Sequence, residues 1–125
     1  MIRLGALAPM CVLLGACATQ QNYEGPQRAA DEVARISGDL RVTAGAPVSV
    51  ILRKVDDREL SLSERSADVL PGTHRFLVDC RVAETGSANR FTLEEEVYAG
   101  EHYRLVAETG TGMRQCTAVQ LELID

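Results

Sequence analysis

From His74 to Val82 the chain alternates in a way that few folds accommodate. His74, Phe76, Val78, Cys80 and Val82 share one phase, and Arg75, Asp79 and Arg81 share the other. Successive side chains of a strand point to opposite faces. The stretch therefore reads as a half-buried antiparallel strand, one face on a core and one in water. A chain built around such a strand needs further strands to cover its apolar face.

The rest of the sequence supplies them. Ile36, Leu40 and Val42 suggest a first strand, kinked or bulged at Gly38. Val48, Val50 and Leu52 alternate with Ser49 and Arg53, so Val48 to Val55 is a second, with Asp56-Asp57 turning into a short return around Leu60 and Leu62. Pro71-Gly72 after Val69-Leu70 predicts a type II turn, since proline fixes the second turn position and glycine supplies positive φ at the third. Glu84 to Asn89 reads as a polar loop. Phe91, Leu93 and Val97 then alternate, with Glu95 interrupting the inward face, and Tyr103, Leu105 and Ala107 follow the Ala99-Gly100 turn. In the last strand Cys116 and Ala118 share one phase while Val119, Leu121 and Leu123 share the other, which calls for a bulge near Ala118 or a two-sided environment. Short strands, Gly/Pro turns and little helix point to an all-β chain, a small antiparallel β-sandwich. Ala29 to Arg35 is compatible with a marginal helical turn or with a strand starting near Val33.

Ahead of this domain stands a segment of another kind. Met1-Ile2-Arg3 is basic, Leu4 to Leu14 is uncharged and apolar, and Leu14-Gly15-Ala16-Cys17 follows. The apolar run is well short of the ~20 residues a spanning helix needs, and it fits an export signal. Leu14-Gly15-Ala16-Cys17 resembles the lipobox of bacterial lipoproteins. In that family residues 1–16 would be removed and Cys17 would carry a diacylglycerol thioether and palmitate, anchoring the chain to a membrane. Ala18 after the cysteine implies, by the same resemblance, the periplasmic face of the outer membrane. A plain secreted protein cut after Ala18 is the alternative. Residues 17–32, polar with one Gly-Pro, read as lipidated N-terminus and flexible tether, leaving 33–125 as the folded domain.

Composition narrows the function. The formal net charge of −5 gives an acidic domain little use for phosphate-rich partners, so nucleic acid is not expected. With no tryptophan, two phenylalanines and three tyrosines, stacking platforms for sugars are scarce. Cys80 and Cys116, both in predicted strands and in an oxidising compartment, are expected to form one disulfide. A metal site from Cys80, Cys116, His74 and His102 lacks ligand spacing, so no metal and no cofactor is expected. Neither Ser37 nor Ser49 stands in a nucleophile-elbow context. The carboxylates of Asp56-Asp57 and Glu94-Glu95-Glu96 are neighbours on the chain, which strand geometry points apart. No catalytic residues are assigned.

Three segments carry a resemblance. Ala34-Arg35-Ile36-Ser37-Gly38 with Val48 to Asp57, then Leu70-Pro71-Gly72-Thr73-His74-Arg75-Phe76-Leu77-Val78-Asp79-Cys80, then Glu95 to Leu105 around Ala99-Gly100 resemble a set of small bacterial lipoproteins with PEGA-type β-sandwich domains. The resemblance implies an Ig-like or prealbumin-like sandwich and an envelope location, with the Pro71-Gly72 stretch as a hairpin. The family's Val-Asp-Gly turn is Val55-Asp56-Asp57 here. The expectation is a non-enzymatic, lipid-anchored protein that binds an envelope protein or organises the envelope. A peptidoglycan- or glycan-binding module is the alternative, and a tethered hydrolase a more distant one.

Overall fold

The computed structural model describes residues 19–43, 46–61, 64–110 and 115–124, with backbone alone at 39–43 and 46. Among the described residues ten strands form two sheets packed face to face. They are β1 (Thr19–Gln21), β2 (Ala34–Ser37), β3 (Asp39–Thr43), β4 (Ala46–Val55), β5 (Arg58–Glu59), β6 (Ser66–Val69), β7 (Gly72–Val82), β8 (Ser87–Val97), β9 (His102–Thr109) and β10 (Cys116–Leu123). One sheet has the order β1-β6-β2-β9-β10; the other runs β3-β4-β7-β8, with β5 also on β4. β9 packs over β4, and β10 over β7 and β8. The expected all-β sandwich is therefore what forms. Its first sheet is nonetheless mixed, because β1 runs parallel to β6 and β2 parallel to β9.

β7 carries the core, as its alternation requires. Phe76, Val78, Cys80 and Val82 are fully buried, and Ile36, Leu52, Val55, Val69, Val97 and Leu105 pack with them. On the outer face Asp79 lies between two arginines from the flanking strands, Arg90 on β8 at 2.8 Å and Arg53 on β4 at 3.4 Å. The bond from Arg90 outweighs burial and, with the charges of Arg53 and Arg81, holds the Asp79 carboxyl below the usual carboxylate range. A lowered carboxylate pKa stabilises the fold above about pH 4, the unfolded value, and that contribution is lost as pH falls through the folded value. The thermal midpoint should therefore drop on acidification below about pH 4, and Asp79→Asn should flatten that acid limb while lowering the midpoint at neutral pH.

Two bulges adjust the phase. In β10 the register shifts between Cys116 and Ala118, so Cys116 and then Val119 face inward, as the two-phase pattern predicts. In β4 a shift between Leu52 and Lys54 puts Val55 rather than Lys54 inside.

Several expectations need correction. The first strand is not one kinked strand: Gly38 is where the chain leaves β2 in one sheet and enters β3 in the other. A Cβ on Gly38 would lie 2.4 Å from the Val50 carbonyl oxygen, so the crossing has room only for glycine. The side chains of Leu40 and Val42, and Leu62 altogether, lie outside the described residues. Pro71-Gly72 is likewise a crossing between sheets rather than a hairpin, since β6 and β7 do not pair. Gly72 does take positive φ, at 135°, well beyond the ~80° of a type II turn. The loop expected over 84–89 is shorter, because Ser87 to Asn89 already pair with β7.

Residues 17–32 are not all tether. Thr19–Gln21 form β1, Tyr23 is 7% exposed, and its hydroxyl accepts a bond from the Arg28 amide at 2.9 Å. Polarity hid this, because β1 is held by backbone pairing at a sheet edge rather than by apolar side chains. The stretch before β2 is a single 3₁₀ turn, Ala30–Glu32.

Candidate functional site

Cys80 on β7 and Cys116 on β10 are bonded, their Cα atoms 6.3 Å apart, so the disulfide staples one sheet to the other. Next to it the Asn89 amide donates to the Cys116 carbonyl at 2.9 Å, tying the start of β8 to the start of β10. Cys17, the expected lipid-attachment residue, lies outside the described residues.

The two histidines go to separate places. His74 is a latch. Its Nδ1 faces the Asp56 carboxylate at 2.6 Å and its Nε2 the Leu70 carbonyl at 2.7 Å. Asp56, not Asp57, takes the left-handed φ of 53° in the β4–β5 turn. That conformation costs a non-glycine residue about 1–2 kcal/mol. Contacts to β7 offset it: the Arg75 amide donates to the Asp56 carboxylate at 3.0 Å, and the Asp56 amide to the Arg75 carbonyl at 2.8 Å. Burial pushes the Asp56 carboxyl up, but the Arg75 amide, the His74 ring and the nearby charges outweigh it and bring it below its ordinary value. His74 thus belongs to turn architecture.

His102 sits at the start of β9, and its Nε2 lies 3.0 Å from Ser37 Oγ on β2. The parallel β2–β9 pairing, which no local pattern around Ser37 reveals, is what brings the two together. A serine beside a histidine is the beginning of a nucleophile-and-base pair. Among the described residues no carboxylate is bonded to the ring to orient it, so the contact is a cross-strand hydrogen bond. Beside it Arg35 and Asp68 form a two-pronged pair at 2.8 and 3.1 Å, with the guanidinium pKa raised by that bond. Arg35, Asp68 and His102, with Ala30, Val33, Gly100 and Glu101, line a shallow cleft of about 160 Å³. Small-molecule pockets run to roughly 300–1,000 Å³. The cleft is too small for such a ligand, and Asp68 already engages its arginine. No three His, Cys, Asp or Glu side chains converge as a metal site among the described residues.

No protein-family model, curated protein or solved structure matches the chain. Its surface therefore has to be judged on its own geometry.

What stands out is one side of the sandwich. Among the described residues β8 pairs only with β7 and β10 only with β9, so both edges are open, and they lie on the same side. At the far end of that side from the disulfide, three large apolar residues are exposed: Tyr98 at 54%, Leu123 at 52% and Ile124 at 40%. Each is tied through its backbone to the start of β9. The Tyr98 amide donates to the Tyr103 hydroxyl at 3.1 Å, Leu123 is the register partner of Tyr103, and the Ile124 amide donates to the His102 carbonyl at 2.9 Å. The turn that positions Tyr98 is tied to the segment just before β2 by Gly100, whose amide donates to the Val33 carbonyl at 2.8 Å. Tyr103 also donates to Glu101 at 2.6 Å; burial first, then this carboxylate, raises its hydroxyl pKa. Glu96 and Glu101 likewise push the Tyr98 hydroxyl up. Glu94, Glu95 and Glu96 are exposed on the adjoining β8 edge.

Proposed function

We propose that the chain is a lipid-anchored envelope protein, non-enzymatic, whose sandwich docks another envelope protein through its open β8/β10 side. The observation that carries this is the pair of open strand edges on one side, with Tyr98, Leu123 and Ile124 exposed at one end of it. Unpaired strand backbone can take a further strand by edge addition, and apolar side chains exposed near it add area to bury. The absence of tryptophan and the small size of the cleft favour this over a peptidoglycan or glycan site. The anchor rests on Leu14-Gly15-Ala16-Cys17, and it leaves the domain free of any need to insert into lipid.

Photo-crosslinking in living cells tests the docking. A crosslinker at Tyr98 or Leu123 should give one discrete adduct, whose band weakens in a Leu123→Glu background, and the same reagent at Thr85 should give none. Equal adducts from all three positions would remove the docking surface. Labelled palmitate should enter the wild-type chain and not Cys17→Ala; label retained by that variant would remove the anchor.

A further inference from the structure

We infer that the anchor holds the domain directly against the bilayer on its β1–β5 side, so that the β8/β10 side faces away from the membrane. The inference rests on the proposed lipidation of Cys17.

Only Ala18 separates Cys17 from Thr19, the first residue of β1. An extended chain gains at most about 3.3–3.6 Å per residue, so the two Cα atoms are within roughly 7 Å whatever Ala18 does. The bilayer's hydrocarbon core is about 30 Å thick within a total of about 40–45 Å, which makes each polar layer roughly 5–8 Å. The glycerol of a thioether-linked lipid sits at the inner border of that layer. Thr19 is thus carried to the height of the headgroups, with no slack for a free linker.

β1 in turn is fixed to the fold. Thr19 Oγ1 is 2.7 Å from Ser66 Oγ, the Asn22 amide donates to the Asp68 carbonyl at 2.9 Å, and Gln21 donates to the Gly25 carbonyl at 2.7 Å. The buried Tyr23 ring closes the segment from beneath, and Arg58 of β5 pairs with Glu24 and reaches the Gln21 carbonyl from the opposite sheet. The leash therefore pulls on the sandwich through one lateral edge, where β1 and β5 meet. β8 and β10 lie at the other lateral edge of the two sheets. The occupant of the β1 side is accordingly the lipid surface, and a protein partner has the far side to itself.

The test uses the full chain, purified with its lipid from a bacterium that processes lipoproteins. It is returned to phosphatidylethanolamine/phosphatidylglycerol vesicles carrying a nitroxide on the headgroup. A fluorophore is placed at Arg65→Cys, an exposed position just before the Ser66 that faces Thr19, or at Thr92→Cys, exposed on β8. Loss of fluorescence at 65 and none at 92 is the expected result. A Gly/Ser insertion between Ala18 and Thr19 should abolish that loss while the protein still floats with the vesicles. Equal quenching at both positions, or quenching at 65 that survives the insertion, would overturn the orientation with the anchor intact. A wild-type chain that does not float would overturn the anchor itself, and this inference with it.

Discussion

Removing the Cys80–Cys116 bridge is expected to lower the thermal midpoint by about 14–32 °C. Chain-entropy arithmetic for a loop whose ends are 36 residues apart gives about 3.5–4 kcal/mol. For a domain of roughly 100 residues, 1 kcal/mol moves the midpoint by about 4–8 °C. The bridge crosses between sheets at the end where β10 starts, and both cysteines are within the core, at 0% and 3% exposure. The comparison is oxidised protein against the double variant Cys80→Ala/Cys116→Ala. Alanine avoids burying the hydroxyl that serine would bring. Adding reductant to the wild type should reproduce the variant's midpoint, and a shift of only a few degrees in both would show that the strand network alone sets stability. A total stability of about 5–15 kcal/mol makes this contribution a large share.

Gly38→Ala is expected to be strongly destabilising although it adds a single methyl group. Its methyl would meet the Val50 carbonyl oxygen at 2.4 Å and the carbonyl carbon at 3.4 Å, and these are backbone atoms of a central strand, not a side chain that could swing away. Relief requires moving either the β2–β3 crossing or β4. Moving the crossing also strains the bond from the Gly38 amide to the Arg65 carbonyl, now 3.2 Å. Overpacking of this kind costs about 1–3 kcal/mol, and the rigidity of the obstacle puts the expected loss near the upper end. Urea denaturation reads it as a lower midpoint at unchanged slope. A variant with wild-type midpoint would mean that the sheets separate easily at this point.

Much of the fold is legible in the residues because period-2 burial is a local signal. β7 declares itself, and so does the bulge in β10, where apolar residues occupy both phases. The bulge in β4 left the same trace, since Val55 is out of phase with Leu52, but a single residue at a strand end carries little weight. Less legible are the features that depend on partners far along the chain. Whether Gly38 and Pro71-Gly72 bend a strand within one sheet or pass it to the other is decided by which strands pair. Alternation looks the same in either case. β1 was hidden for a different reason: it has no apolar face of its own, and only Tyr23, four residues beyond its start, marks the segment as packed. The candidate docking patch was invisible as well. Tyr98 is distant in sequence from Leu123-Ile124, and Leu123 reads as one more core residue until its exposure at the end of β10 is seen.

The acidic edge of β8 bears on how copies of this protein meet. The edge strand runs Ser87–Val97, long enough that its bare backbone could zip onto another molecule's. Glu94, Glu95 and Glu96 are all exposed there, and Glu95 occupies a position whose neighbours Leu93 and Val97 face the core. A second copy laid antiparallel on the same stretch would set carboxylate against carboxylate, which cross-strand pairing penalises. Pairing of two β8 edges in that register is thus disfavoured, while the edge remains open to a strand of different charge.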